Sequence, residues 1–222
     1  MIRRSTKTKT PTAACPEVME HIVLFDVPWE GYEALLEAFG DRRLRHSYDD
    51  GVLEIMSPLK RHDRNKKLLA RLLETAAYEL DIEIQGIGST TLRKERRRKG
   101  LEPDECYYVE HEPQVRFEED YDPDRDPPPD LAIEVDVTHS EVGRMDIYAG
   151  LGVPEVWRLK DDNLTYYRLS RDGKYVKITR SKAFPPLTPA MLEKFLQRRR
   201  EVSENEVLRE FVAWLKDTSK KS

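Results

Sequence analysis

Two carboxylates stand at strand positions where an acidic side chain needs a partner. Asp104 opens a predicted strand in the segment Glu-Pro-Asp, and Glu134 interrupts the apolar run LAIEVDV 30 residues later. An ionised carboxylate within an apolar strand is unfavourable unless a cation or hydrogen bonds compensate its charge. A hard divalent ion is one such cation, because Mg²⁺ takes one or two carboxylates and leaves its other positions to water and substrate phosphate.

A site of this kind is suited to hydrolysis of a phosphodiester. The ion polarises a phosphoryl oxygen, acidifies a bound water and stabilises the leaving oxygen. Asp136 lies two residues beyond Glu134, on the same predicted strand face, and is a third candidate ligand. We predict magnesium as the ion, with manganese as a substitute. The carboxyl groups of Asp104 and Glu134 are then expected to converge to within about 5 Å.

A basic segment directly precedes the first acid. Its five cations are Lys94, Arg96, Arg97, Arg98 and Lys99. Cations at the mouth of a strand that carries a metal ligand predict contacts with nucleic-acid phosphates, whose binding gains from counterion release. The alternative is an ordinary solvated loop, in which the same cations only face water.

The elements that must position these residues follow from hydrophobic periodicity. Apolar residues at 68, 69, 72, 73, 76, 77 and 80 form one stripe at the helical period. Helices are predicted over residues 28–39, 61–80, 140–151, 188–198 and 204–217. Strands are predicted over residues 52–56, 82–93 (one bent or two short strands), 106–110, 131–137, 153–159, 164–169 and 174–180. Asp50-Gly51 is predicted to be a hairpin turn.

This order predicts a mixed α/β domain with one central sheet flanked by helices and a C-terminal helical tail. We divide the chain into a disordered N-terminal tail (1–20), a main domain (21–198) and a C-terminal helical extension (199–222). The N-terminal residues are polar and rich in Thr and Lys.

Composition narrows the class of protein. The 222 residues carry a net charge of −4, with a pI of about 5.9 and a mean hydropathy of −0.72. This balance argues against a strongly basic nucleic-acid binder, but it allows a local basic patch. Two cysteines without zinc-ligand spacing argue against a structural zinc site or a disulfide framework. No apolar run approaches the roughly 18 residues of a membrane span, so we predict no membrane partner and a cytoplasmic protein.

Several blocks of the sequence, in order and at matching spacing, resemble one known family. The blocks are GVLEIMSP, Arg61-His62-Asp63, GLEPDECYYVE, PPDLAIEVDVT and IYAGLGVPEVWRL. They resemble the Uma-type family of restriction-endonuclease-like proteins, which belongs to the PD-(D/E)XK nuclease superfamily. The resemblance covers residues of about 25 to 196. It implies a restriction-endonuclease-like sheet, a Mg²⁺-dependent endonuclease site acting on DNA, and a homodimer.

The resemblance also assigns roles to residues. Asp104 matches the first acid of the superfamily, and Glu134 matches the acid of the Glu-x-Lys element. Asp136 stands where the lysine is usual. Many family members carry that lysine on the next helix, four residues before a tyrosine, and here this position is Arg144, before Tyr148. Arginine can hold a phosphate, but its high pKa makes it a poor general base.

Glu54 and His62 complete the predicted site. Glu54 lies between Leu53 and Ile55 in a strand, where it either reaches the metal, pairs with Arg144 or is simply exposed. His62 opens the longest helix, where its imidazole either approaches the phosphate or a metal-bound water, or caps the helix.

Two other functions remain open. The chain is a catalytically inactive nucleic-acid-binding or regulatory module if the replaced lysine was essential. It is a protein-interaction module if its acidic loop (118–126) and C-terminal helix dock a partner. Tyr148 and Trp157 are assigned to the core.

Overall fold

Two β-sheets and six α-helices make up the described part of the chain. The computed structural model describes residues 21–40, 45–56, 60–88, 90–136 and 142–219. The first sheet, sheet A, contains β1 (His21–Leu24), β2 (Arg45–Asp49), β3 (Val52–Met56), β5 (Leu92–Lys94) and β6 (Lys99–Leu101). The second sheet, sheet B, contains β4 (Gln85–Gly86), β7 (Glu105–Tyr108), β8 (Leu131–Asp136), β9 (Glu155–Lys160), β10 (Asn163–Leu169) and β11 (Tyr175–Ile178).

Sheet A is antiparallel, in the order β1-β3-β2-β6-β5. Sheet B has the order β11-β10-β9-β8-β7-β4 and is mixed, because β8 and β9 pair in parallel while its other neighbours are antiparallel. The β8–β9 connection contains a helix, as parallel pairing requires.

The helices are α1 (Trp29–Phe39), α2 (Lys60–Glu79), α3 (Glu112–Val115), α4 (Arg144–Leu151), α5 (Pro189–Arg198) and α6 (Glu204–Ser219). Helix α4 ends at Gly152, whose φ of 85° is the left-handed conformation that glycine adopts without steric penalty. None of the helices in the described part of the chain is long and apolar enough to cross a membrane.

The main hydrophobic core lies between one face of sheet B and helices α2, α5 and α6. It buries the predicted stripe of α2 up to Ala77 and the aromatic ring of Trp157. A second core joins residues of both sheets with α4, including Leu101, Ala132 and Ile147. Helix α4 therefore lies where the two sheets meet.

The predicted mixed α/β class, with helices flanking a mixed sheet, is confirmed. The strands nevertheless form two sheets, because β6 pairs with β2 and β5 instead of joining β7. Strand β6 lies inside the segment that we interpreted as a basic loop. Its residues have weak intrinsic β-propensity, and they form a strand because they pair with β2 and β5.

Helix α6 packs its apolar stripe on the main hydrophobic core. Val207, Phe211 and Leu215 are buried in the main core, against α2. The predicted division at residue 199 stays a prediction, and the predicted tail (1–20) lies outside the described residues.

Candidate active site

Asp104, directly before β7, lies across from Glu134 on the neighbouring strand β8. The chain leaves sheet A at the end of β6 and enters sheet B at β7, and Asp104 stands in that short crossover. In the antiparallel β7–β8 register Glu105 pairs with Ile133, so Asp104 stands across from Glu134. Side chains that face each other in this way have Cβ atoms about 5 Å apart. Both are almost fully buried, at 3% and 1% exposure.

One guanidinium bridges the two acids. Arg45, the first residue of β2, donates from Nη1 to Oδ1 of Asp104 at 2.5 Å and from Nη2 to Oε1 of Glu134. The second oxygen of Asp104 accepts the backbone N–H of Val135 at 2.6 Å. The two carboxylates thus already share one positive group.

Arg144, the first residue of α4, holds Glu134 from the other side. Its Nε lies 2.7 Å from Oε1 of Glu134, and its Nη2 donates to Oε2 at 2.9 Å. The same guanidinium donates to Oγ of Ser47 at 2.5 Å and to the carbonyl oxygen of Glu102 at 2.7 Å. Burial alone lowers the pKa of Arg144, but the charge of Glu134 and the hydrogen bond with it raise that pKa above its ordinary value. Arg144 is therefore a permanent cation that ties sheet A, sheet B and α4 together.

Tyr148 completes the surroundings of Glu134. Its hydroxyl donates to Oε2 at 2.8 Å from one helical turn beyond Arg144, since residues four apart share a helix face. Burial, and then the nearby charge of Glu134, raise the pKa of Tyr148 well above its ordinary value. The phenol is thus a hydrogen-bond donor at every physiological pH.

Glu54 belongs to the same face of sheet A as these contacts. It pairs in register with Ser47, the residue that accepts from Arg144, and it is 0% exposed. The interpretation of Glu54 as an exposed strand residue is therefore wrong. The side chains of His62 and Asp136 lie outside the described residues.

The basic segment forms a hairpin at the far end of β6 from Asp104. A 3-10 turn (Glu95–Arg97) connects β5 to β6. Arg98 and Lys99 pair with Asp50 and Asp49, at 2.6 and 2.5 Å. Lys94, Arg96 and Arg97 are exposed and make no ion pair with any other described residue. Asp49 is four residues along β2 from Arg45, so the hairpin lies about 13 Å from the acids at the rise of a strand.

The donor atoms and the negative charge of Asp104 and Glu134 suit a divalent ion. Their donor set is two buried carboxylates that face each other and hold a cationic group between them. In the described ranges, no group of three or more His, Cys, Asp or Glu side chains could hold a metal. Two carboxylates are nevertheless a normal protein contribution to a Mg²⁺ site, because water and substrate phosphate supply the other ligands.

Three residues of this site were not predicted: Arg45, Ser47 and Tyr148. Tyr148 was detectable, because it follows Arg144 by four residues on a short helix. No sequence pattern distinguishes Arg45 and Ser47, because they join the site through contacts with distant parts of the chain. Arg45 contacts both acids, and Ser47 contacts Arg144.

Comparison with known proteins supports a nuclease fold. The model of the Uma2 family, described as "Putative restriction endonuclease", matches residues 29–202. None of the curated proteins matches this chain.

Among solved structures, one similar chain is described as "a putative nuclease belonging to DUF820 from Anabaena variabilis ATCC 29413". The superposition has a TM-score of 0.50 at 13% sequence identity, and it covers 68% of this chain and 90% of the other. Identity at this level shows a shared fold only. Together the two matches confirm the family resemblance and the fold class inferred from the sequence.

Proposed function

This chain belongs to the Uma2 family of restriction-endonuclease-like proteins, and from that premise we propose that it is a Mg²⁺-dependent endonuclease that hydrolyses phosphodiester bonds of DNA. One observation carries the proposal. Asp104 and Glu134, distant in sequence, face each other at the junction of the two sheets and together hold one cationic group.

In this proposal Asp104 and Glu134 are the protein ligands of Mg²⁺, with Asp136 as a third ligand, and Mn²⁺ can substitute. The bound ion supplies an activated water and a counter-charge for the phosphoryl oxygens. The backbone N–H of Val135 fixes the orientation of Asp104, and Tyr148 fixes that of Glu134.

Arg144 has a different role from that of the usual lysine. Its guanidinium is taken up by Glu134, Ser47 and the carbonyl of Glu102, and its raised pKa prevents it from accepting a proton. We therefore assign Arg144 to positioning Glu134 and to balancing its charge. Glu54 and His62 remain proposed site residues, on sheet A and at the start of α2.

The DNA backbone is proposed to contact the basic hairpin. Duplex DNA carries one charge per about 1.7 Å of its axis, so a duplex seated at the acids presents phosphates to a surface about 13 Å away. Lys94, Arg96 and Arg97 are the cations available there, while Arg98 and Lys99 are already paired with Asp50 and Asp49.

Nicking of supercoiled plasmid DNA in the presence of Mg²⁺ or Mn²⁺ tests the proposal. We expect the wild-type chain to nick the plasmid. Asp104→Asn and Glu134→Gln should each lower nicking activity by more than about 100-fold, because substitutions of residues that only support metal ligands typically lower activity by about 10- to 100-fold. Glu110→Gln, at an exposed carboxylate paired with Lys182, is the matched control and should keep its activity.

Nicking that persists in both acid variants would come from a contaminant. Absence of nicking by any form, with DNA binding retained, would establish the second candidate function, a nuclease-fold protein that binds nucleic acid without cleaving it. One observation favours this candidate: Glu134 is held by two arginines and a tyrosine, and the two sequence positions where the lysine is usual carry Asp136 and Arg144.

The proposed reaction takes place in the cytoplasm, where thiols stay reduced, and Cys106 is a buried free thiol. The homodimer implied by the family resemblance stays a prediction, which sedimentation equilibrium tests.

A further inference from the structure

Arg45 occupies the position between the two acids. Its two terminal nitrogens each take one carboxylate, Asp104 and Glu134, and its side chain is 10% exposed. A bidentate guanidinium is the organic cation best matched to carboxylate geometry. In this arrangement the acids have the counter-charge that they need for burial without any metal ion.

A divalent ion bound by Asp104 and Glu134 needs the oxygens that Arg45 uses. Oδ1 of Asp104 and Oε1 of Glu134 accept from Arg45, and Nε of Arg144 also lies 2.7 Å from Oε1. Oδ2 of Asp104 accepts from Val135, and Oε2 of Glu134 accepts from Arg144 and Tyr148. A guanidinium and a divalent ion carry the same sign of charge, so they repel each other at this separation. Occupancy by the one therefore opposes occupancy by the other.

We propose that Arg45 is an internal counter-cation that closes the metal site, and that it must leave Asp104 and Glu134 before a divalent ion can bind. This inference rests on the proposed function, because it takes the same two acids as the metal ligands. It makes the residue a regulator of metal affinity and not a ligand.

Arg45 lies between both acids, in the position that a shared ion would take, whereas Arg144 binds Glu134 from the other side. Arg45 is the first residue of β2, at the end of its strand, and both of its terminal nitrogens are bound to the acids that an ion would take. Arg144 is additionally anchored to Ser47 and to the carbonyls of His46 and Glu102. An arriving ion therefore displaces Arg45, and Arg144 stays on Glu134.

Closure by Arg45 lowers the apparent metal affinity. A ligand that binds only the open form has its affinity reduced by the fraction of molecules that are open. Minor conformations are typically populated at 0.1–10%, so removal of Arg45 should tighten ion binding by at least about tenfold.

Calorimetric titration of Mn²⁺ into the full chain, without DNA, tests this directly. We expect Arg45→Gln to bind Mn²⁺ at least about tenfold more tightly than wild type, and Arg45→Lys, which keeps the charge but not the fork, to lie between them. Without metal, Arg45→Gln should melt at a lower temperature than wild type, because two buried acids lose a counter-charge. Mn²⁺ should then raise its melting temperature more than that of wild type.

Arg116→Gln is the matched control. It removes another arginine that binds a buried carboxylate with two hydrogen bonds. This carboxylate belongs to Glu112 on α3, which follows the end of β7 that lies away from Asp104. It should change stability without changing Mn²⁺ affinity. If Arg45→Gln does not fold, the comparison of Arg45→Lys with wild type decides.

The outcomes separate the two proposals. Equal Mn²⁺ affinity in wild type and the Arg45 variants, abolished by Asp104→Asn, overturns the role of Arg45 and leaves the metal site standing. Binding that Asp104→Asn and Glu134→Gln do not weaken, or the absence of binding in every form, overturns the metal site and the role of Arg45 with it.

Discussion

Glu134 shows how one residue can be both evident in a sequence and incompletely understood from it. An acid within LAIEVDV is conspicuous because its neighbours are apolar, and the structure buries it as that position requires. Its compensating groups come from Arg45 on β2 and from Arg144 and Tyr148 on α4. Sequence spacing identifies Tyr148 beside Arg144, but a cross-sheet contact such as that of Arg45 has no local signature.

The hydrogen bond from Tyr148 to Glu134 can be measured by its removal. Hydrogen bonds to charged groups are worth about 1.5–3 kcal/mol, so Tyr148→Phe should lower the free energy of unfolding by that amount. Urea denaturation measures it. Tyr78→Phe, at a tyrosine that is 85% exposed, should leave the free energy of unfolding unchanged, and equal losses in both variants would contradict the assignment.

At the scale of elements, the basic segment is the clearest difference between expectation and structure. Five cations within six residues favour a solvated loop, yet three residues of this segment form β6 by pairing with β2 and β5. The hairpin directs Arg98 and Lys99 onto the β2–β3 turn and leaves the other three cations exposed. Charge alone could not distinguish these two groups, because the distinction depends on which strand lies alongside.

This division predicts unequal contributions to DNA binding. Replacing Lys94, Arg96 and Arg97 by Ala should weaken binding and reduce the slope of log affinity against log salt by about 2.7, at about 0.9 for each lost phosphate contact. Fluorescence anisotropy over a range of salt concentrations measures the slope. The matched triple variant at Arg171, Lys174 and Lys177, on and before β11, should keep the wild-type slope. A slope that falls equally in both would mean that binding follows net charge alone.

For the whole molecule, the long helices and the strands of sheet B were predictable because their apolar periodicity is strong. Helices α2, α5 and α6 begin and end close to the expected positions. The division into two sheets was not predictable, since it depends on strand pairing between β2 and β6, which are separated by the whole of α2. The acids of the site were therefore identifiable, and their surroundings were not.

The whole core also determines the response of the fold to alkaline pH. Burial, the largest cause in each case, raises the pKa values of Tyr32, Tyr107, Tyr108, Tyr148, Tyr166 and Tyr175. Above about pH 10 an unfolded tyrosine loses its proton while its folded counterpart keeps it, so the unfolded chain binds fewer protons. The contribution of these tyrosines to the free energy of unfolding is therefore fully present below about pH 10, and it is lost as the pH rises further.

Tyr166 allows this to be measured. Its hydroxyl is buried and has no hydrogen-bond partner among the described residues, so Tyr166→Phe should be close to neutral at pH 7. Above pH 10 the variant should lose stability less steeply than wild type, by about 1.4 kcal/mol per pH unit, the share of one tyrosine. Urea denaturation on both sides of pH 10 tests it, with Tyr78→Phe as the control. Identical slopes would show that Tyr166 ionises normally in the folded state.

The three-residue crossover from β6 to β7 leaves almost no tolerance for a change in length. Glu102 gives its carbonyl to Arg144 at one end and Asp104 faces Glu134 at the other, with Pro103 between them. A single inserted residue would turn every following side chain of β7 to the opposite side, because successive strand residues alternate. The length of this linker therefore determines whether Asp104 faces Glu134.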